Sequence, residues 1–132
     1  LFTSPDPDGF LFGIVSSAMF LTWQKTVGGR LKSDPRFTNT IVWNTLPLPE
    51  MTGPERLAVA SAGAGVLAAR ALRGGESLAQ QYDPRRMSVE LVEAHQALDL
   101  VVDRAFGAQR RCESELERQE LLFRRYAELA GT

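Results

Sequence analysis

The sequence predicts a mainly α-helical protein, in which a long apolar helix, a loop and a short β-strand segment precede a small C-terminal helical bundle. Three observations lead to this fold class: an almost unbroken apolar run at residues 10–27, a β-branched and aromatic run at residues 37–43, and apolar residues three and four positions apart after residue 50. The composition changes near residue 50, so we divide the 132-residue chain into two domains, residues 1–50 and residues 51–132.

The first predicted helix spans residues 10–27 and is apolar nearly all round. A helix of this kind is normally buried on several sides, and a chain this short offers little material to cover it. We therefore expect that the chain is a piece of a larger protein whose missing N-terminal part packs there. For the isolated chain, we expect self-association through the exposed patch from Phe10 to Trp23.

The loop and the strand come next. Gly28 and Gly29 release the chain from helical geometry. Residues 37–43, FTNTIVW, favour a pleated strand because they are rich in β-branched and aromatic side chains. Pro47 and Pro49 then end the strand, since proline cannot donate a ladder hydrogen bond.

Three capped helices are predicted after residue 50, at about residues 53–72, 89–106 and 115–130, with a short turn at residues 77–82. The chain places a hydroxyl residue at each start, and the first and last starts have capping-box spacing: Thr52 with Glu55, Ser88, and Ser114 with Glu117.

Positive charge is concentrated in the second half of the first predicted domain. The net charge of −1 argues against a surface that binds polyanions everywhere, but residues 24–44 carry four bases and one acid. Arg30, Lys32, Asp34 and Arg36 alternate along the chain, so an extended backbone presents all four on one face. Such a row suits base edges flanked by phosphates. The alternative is an ordinary solvated connecting loop.

Several classes of site find no support in the sequence. Cys112 is the only cysteine, which excludes an internal disulfide and a cysteine-based zinc site and indicates a reducing, cytoplasmic location. The apolar run is too short to span a bilayer, so we expect no membrane partner. Ser16 and Ser17 have no recognisable partner base, so an independent small enzyme lacks a nucleophile–base pair.

His95, Asp99 and Asp103 lie at i, i+4 and i+8 and therefore share one face of a predicted helix. Three ligands with no obvious fourth make a poor metal site, and no metal is expected. We expect a structural role in which these residues cap or bridge neighbouring segments, with Arg85 and Arg86 as candidate partners. Contact with DNA or with another domain is the alternative.

Two stretches of the chain, in this order, resemble one known family. The first is FGIVSSAMFLTWQKTVGGRLKSDPRFTNTIVWNTLPLPE, which resembles the end of the target-recognition domain of MmeI-like (type IIL, YeeA-like) DNA adenine methyltransferases. The second is SLAQQYDPRRMSVELVEAHQALDLVVDRAFG, which resembles the C-terminal helical domain of the same bacterial restriction-modification enzymes.

The resemblance implies roles for individual residues. Residues 1–50 would close the target-recognition domain, and residues 51–132 would form the C-terminal helical domain. Matched position by position, the base-reading candidates are Lys32, Asp34 and Arg36, while Lys25 and Arg30 would lie nearer the DNA backbone. Pro35 stands where the family usually has an aromatic residue, which leaves open which base pair is read.

The resemblance also implies the function of the parent enzyme. It would transfer a methyl group from S-adenosylmethionine to adenine N6 in double-stranded DNA, and this chain would supply the recognition and clamp portion. The chain has no Asn-Pro-Pro-aromatic tetrad and no glycine-rich turn after a strand, so we expect no cofactor and no catalysis in this piece alone. The alternative is a helical protein–protein interaction module with an incidental basic loop.

Overall fold

The computed structural model describes residues 9–28 and 45–130. Within these ranges the chain forms helices and no strand, which confirms the mainly α-helical prediction; the predicted strand at residues 37–43 lies outside the described residues. The helices are α1 (Phe10–Ser16), α2 (Ala18–Gly28), α3 (Gly53–Ala71), α4 (Leu78–Gln81), α5 (Val89–Ala105) and α6 (Glu115–Ala130). None of these described helices is long and apolar enough to cross a membrane.

The helix starts follow from local capping. Thr52 and Glu55 form a complete capping box at α3, and Ser88 accepts a hydrogen bond from the backbone N–H of Leu91 at α5, as predicted. The region predicted as a short turn contains a further element, since Ser77 and Gln80 form a second capping box that starts the one-turn helix α4. Each cap satisfies backbone N–H groups that the first helical turn leaves unpaired.

The prediction of one continuous helix over residues 10–27 is wrong, because the helix is interrupted at Ser17. Its backbone is extended (φ −80°, ψ 155°), and its hydroxyl donates to the carbonyl of Ile14 and accepts from the N–H of Phe20. The N–H of Ala18 donates to Oδ1 of Asp99 at 2.9 Å. The serine hydroxyl and a carboxylate from a distant helix thus satisfy the backbone groups at the break, so the helix starts again as α2.

The apolar side chains of α1 and α2 are covered by the rest of the chain. Phe10, Ile14, Met19, Phe20 and Trp23 are each at most 8% exposed and join one hydrophobic core with α3, α5 and α6. These helices therefore do not present the exposed apolar patch from which we expected self-association. The surplus of apolar residues is explained by partners within this chain, because α1 packs on α3 while α2 packs on α5 and α6.

Helices α1 and α3 cross at glycines. A Cβ atom added to Gly13 would lie 2.7 Å from both the carbonyl oxygen and Cγ1 of Val59, and one added to Gly63 would lie 3.1 Å from the Cα of Gly13. The absence of side chains at this crossing lets the two backbones approach closely. Behind it, α3 packs against α5 through fully buried aliphatic residues: Val59, Val66, Leu91, Leu98 and Val102.

A buried ion pair joins α5 to α6. The Asp103 side chain is fully buried and accepts hydrogen bonds from Nε and Nη2 of Arg118 at 3.1 and 3.0 Å and from the N–H of Cys112 at 2.8 Å. Arg118 also donates to the carbonyl of Cys112 at 3.2 Å. The bidentate pair therefore fixes both the start of α6 and the connection that precedes it.

Candidate nucleic-acid interface

The residues predicted to contact DNA fall on or next to one segment, residues 29–44. Arg30, Lys32, Asp34 and Arg36 lie within it and thus outside the described residues. Lys25 lies in the last turn of α2. What the structure describes is the frame on both sides of segment 29–44, namely the end of α2 and the chain from Thr45 onward.

A hydrogen bond joins the two sides of segment 29–44. Nε1–H of Trp23 on α2 donates to Oγ1 of Thr45 at 3.2 Å. Trp23 is only 4% exposed, so its indole N–H needs a partner within the protein, and the threonine hydroxyl supplies one. The chain before the segment and the chain after it are thus fixed to each other directly.

Helix α6 supports this junction with aromatic rings. The ring of Trp23 lies 6.4 Å from that of Phe123 in an edge-to-face arrangement and 5.9 Å from that of Tyr126. Aromatic pairs at these separations contribute about 0.5–1.5 kcal/mol beyond the area that they bury. Sequence analysis missed Trp23 as a functional candidate because a tryptophan within an apolar run indicates a core residue, and its polar N–H was the one available signal.

Two polar contacts extend the α2–α6 interface toward the end of α2. Nε2 of Gln119 donates to Oγ1 of Thr26 at 3.3 Å, and Nζ of Lys25 lies 3.9 Å from Oε1 of Glu115. The Lys25 side chain is 60% exposed, so this ion pair contributes little to stability, about 0–1 kcal/mol. Its ammonium group remains accessible from solvent beside segment 29–44.

The chain leaves the junction through a proline-rich stretch. Pro47 and Pro49 are buried, and the N–H of Leu48 donates to the carbonyl of Leu46 at 2.8 Å. Because proline fixes φ, this stretch has few alternative backbone conformations. The exit from the junction is therefore restrained as well as its entry.

A polar network supports the N-terminal end of α2. Asp99 accepts from the N–H of Ala18, placing a carboxylate at the start of a helix, where negative charge is favourable. On the same side, Nε of Arg70 donates to the Tyr82 hydroxyl at 3.0 Å, and that hydroxyl lies 2.5 Å from Nε2 of His95. Since the Tyr82 oxygen accepts from Arg70, its own proton is placed to donate to an unprotonated Nε2.

The expectation that His95, Asp99 and Asp103 bridge neighbouring segments is confirmed, although the suggested partners are wrong. The three residues contact Tyr82, Ala18 and Arg118 respectively. The suggested partners pair elsewhere: Arg85 with Asp83 at 3.6 Å and Arg86 with Glu76 at 3.5 Å. Within residues 9–28 and 45–130, no group of three or more histidine, cysteine or acidic side chains is placed to hold a metal ion.

Burial shifts the pKa values of two members of this network, His95 and Asp99. The pKa of His95 lies below its ordinary value of 6.5 because burial disfavours the imidazolium and Arg70 repels it, while Asp99 opposes the shift. Burial raises the pKa of Asp99, even though the hydrogen bond from Ala18 and the charge of Arg118 act in the other direction. Both groups are therefore easier to neutralise in the folded protein than in the unfolded chain.

We expect the free energy of unfolding to fall as the pH drops from 7 through 6.5 toward the lower folded-state pKa of His95. In this range the unfolded chain binds the proton more readily, so protonation favours unfolding. Asp99 acts in the opposite sense at more acidic pH, since its raised pKa favours proton binding by the folded state. Urea titrations at several pH values measure the slope. His95 is the only histidine, so His95→Gln should flatten it, and an unchanged slope would contradict the assignment.

Comparison with known proteins places these features in context. Residues 1–50 match the family described as the MmeI target recognition domain, and residues 53–132 match the family described as the MmeI C-terminal domain. The chain is 40% identical over 124 residues to DNA methyltransferase A of Bacillus subtilis (strain 168), covering 94% of this chain and 14% of that protein.

A solved structure agrees with this comparison. It is described as the type IIL restriction-modification enzyme MmeI in complex with DNA, and the present chain superposes on it with a TM-score of 0.83 at 36% identity. The alignment covers 97% of this chain and 17% of that chain. The chain thus spans less than one fifth of the length of either relative.

Proposed function

Because the chain belongs to the MmeI family of restriction-modification enzymes, we propose that it forms the DNA-recognition and clamp portion of a DNA methyltransferase. The observation that supports this role is the hydrogen bond between Trp23 and Thr45, which joins both sides of segment 29–44 and is supported by the packing of Trp23 on α6. This segment carries Arg30, Lys32 and Arg36. A segment with anchored flanks is suited to presenting side chains to a groove.

In this proposal, Lys32, Asp34 and Arg36 contact base edges. Lysine and arginine donate to O6 and N7 of guanine, whereas aspartate accepts from N4 of cytosine, so the three side chains distinguish base pairs by hydrogen-bond pattern. Lys25 and Arg30 contact phosphates, which adds affinity that depends on salt but carries no sequence information. The exposure of the Lys25 ammonium beside the junction supports its assignment.

The complete enzyme, in this proposal, methylates adenine at N6 and obtains the methyl group from S-adenosylmethionine. In this proposal, S-adenosylmethionine is bound by another part of the enzyme. The role of the present chain is to select and hold double-stranded DNA.

A helical interaction module is the second candidate, and the outer face of α3 favours it. Leu57 and Leu72 are about 70% exposed, Leu67 is 49% exposed, and no charged residue lies between Arg56 and Arg70. Apolar exposure on a helix face is typical of protein–protein contact. Two results together would favour this candidate: the chain binds a protein partner with an affinity that does not depend on salt, and it contributes nothing to DNA binding.

The main test changes the base-reading candidates one at a time in the complete enzyme. Lys32→Ala or Asp34→Ala should relax the choice at one base pair, because each good base contact supplies about 1–3 kcal/mol of discrimination. Lys25→Ala is the matched control, since loss of a phosphate contact weakens binding to all sequences alike. Sequencing of methylated positions measures site preference, and an unchanged preference in both variants would refute direct base readout by this segment.

A further inference from the structure

We infer that Trp23 and Thr45 are positioning residues for DNA recognition, which hold the two sides of segment 29–44 together against α6 and thereby determine sequence discrimination. This inference rests on the proposed function and adds to it two residues that make no base contact of their own. Their contact joins positions 22 residues apart in the chain.

The contact is suited to holding a fixed geometry. Trp23 is buried, and its indole offers a single donor, so breaking the bond leaves an N–H without a partner in a site that water reaches poorly. Trp23 precedes the end of α2 by roughly one and a half helical turns. The hydrogen bond therefore acts close to the point where segment 29–44 begins, and Thr45 stands directly after the point where it ends.

Helices α2 and α6, which carry the residues around this contact, are themselves held in place by packing and hydrogen bonds. Phe123 and Tyr126 pack on the Trp23 ring, and Gln119 of the same helix bonds Thr26 one turn nearer the segment. Helix α6 is itself joined to α5 by the buried pair of Asp103 and Arg118. The other end of α2 is bonded to α5 through Asp99. Helix α2 is consequently fixed at both ends, so a displacement of the segment's flanks would have to disrupt packed helices.

Discrimination between base pairs is more sensitive to the position of the contacting side chains than the overall affinity for DNA is. A base-edge hydrogen bond requires its donor and acceptor to lie within about 0.5 Å of the right position, whereas attraction to phosphates falls off over a Debye length of about 8–10 Å. Loosening the flanks of segment 29–44 should therefore weaken base discrimination while leaving most of the electrostatic attraction to DNA intact.

The test compares two isosteric changes in the complete enzyme. Thr45→Val removes the acceptor for Trp23. Thr22→Val is the control, because the Thr22 hydroxyl donates to the Ala18 carbonyl within α2 itself. Thr22 is buried, whereas Thr45 is half-buried. Thr45→Ser restores the hydroxyl, and Trp23→Phe removes the donor while it keeps a ring. Hydrogen–deuterium exchange is measured at the amides of residues 24–28 before the segment and, after it, at those of Leu46, Leu48, Glu50 and Met51.

DNA discrimination is measured on the same variants. The probe is a duplex that the complete enzyme selects from a randomised pool, and it competes at fixed salt with duplexes that differ from it at one base pair. Thr45→Val and Trp23→Phe should raise exchange at both flanks and lower the ratio of affinities for selected and altered duplexes about three- to tenfold. Thr45→Ser and Thr22→Val should leave both quantities near those of the natural sequence.

Two outcomes overturn the inference. Exchange that is the same in Thr45→Val as in Thr22→Val shows that the contact does not hold the flanks, and raised exchange with unchanged discrimination shows that holding them does not serve recognition. Failure of the proposed function is separate, since it appears as failure to select any duplex or as indifference of site preference to Lys32→Ala and Asp34→Ala.

Discussion

Replacing Asp103 by alanine should destabilise the protein by about 3–5 kcal/mol, the usual cost of removing one partner from a buried ion pair. Asp103 is fully buried, and its carboxylate receives both guanidinium donors of Arg118 and the N–H of Cys112. The alanine variant leaves all three donors without their acceptor. It also leaves the buried guanidinium of Arg118 without the carboxylate that neutralises it.

The charge state of the pair supports this expectation. Burial on its own would lower the pKa of Arg118, but the hydrogen bonds and charge of Asp103 outweigh that effect and raise it. Burial together with the nearby Asp103 carboxylate also raises the pKa of the Cys112 thiol to about 11. The thiol is therefore neutral at ordinary pH, and the ion pair is the charged element of this site.

Urea denaturation of Asp103→Ala, Asp103→Asn and Glu128→Ala measures the effect. The Glu128 variant is the matched control, because Arg125 and Glu128 are separated by 3.1 Å, close to the 3.0 Å of the buried pair, but their side chains are 26% and 53% exposed, against 9% and 0% for Arg118 and Asp103. We expect it to cost about 1 kcal/mol or less. The loss of stability in Asp103→Asn should lie between those of the other two variants, since an amide retains one acceptor but loses the charge. A loss in Asp103→Ala no larger than in Glu128→Ala would contradict the assigned role.

Helix starts were predictable from the sequence because the interactions that cap a helix are local. Thr52 and Glu55 lie three positions apart, and Ser88 caps an N–H three residues later, so the sequence contains both partners within one turn. The helix at residues 78–81 was missed despite an equivalent box at Ser77 and Gln80, because a single turn carries no apolar periodicity.

The break between α1 and α2 was not predictable in the same way. Apolar residues continue across it, so periodicity alone indicates one helix. The break depends on Asp99 accepting from the N–H of Ala18, and these residues are 81 positions apart. Sequence analysis identified the face formed by His95, Asp99 and Asp103 but assigned the wrong partners, since it considered neighbours in sequence and the true partner of Asp103 is Arg118 on the next helix.

The candidate interface was predictable in its charges but not in its support. Alternating charged residues are visible in the sequence, and their roles stay predictions because they lie outside the described residues. The junction behind them depends on Trp23 meeting Thr45, Phe123 and Tyr126, which are contacts between separate parts of the chain. No local pattern encodes such a meeting, and the apolar surroundings of Trp23 made it resemble an ordinary core residue.

The same substitution at two helical glycines should have opposite effects on stability. Gly13→Ala places a methyl group 2.7 Å from the backbone carbonyl of Val59, so α1 and α3 must move apart, at a cost of about 1–3 kcal/mol. Gly65→Ala meets no atom within 4 Å and lies inside α3, where alanine is favoured over glycine by up to about 1 kcal/mol.

Urea midpoints of the two variants decide between close backbone approach and simple helix propensity as the reason for glycine at the α1–α3 crossing. Propensity alone predicts that both variants gain stability, whereas the crossing predicts a loss at Gly13 and a gain at Gly65. Gly63→Ala should fall between them, because its nearest contact is the Gly13 Cα at 3.1 Å. A stabilised Gly13→Ala would show that α1 sits further from α3 than the structure has it. The packing that buries Phe10 and Ile14 would then need a different explanation.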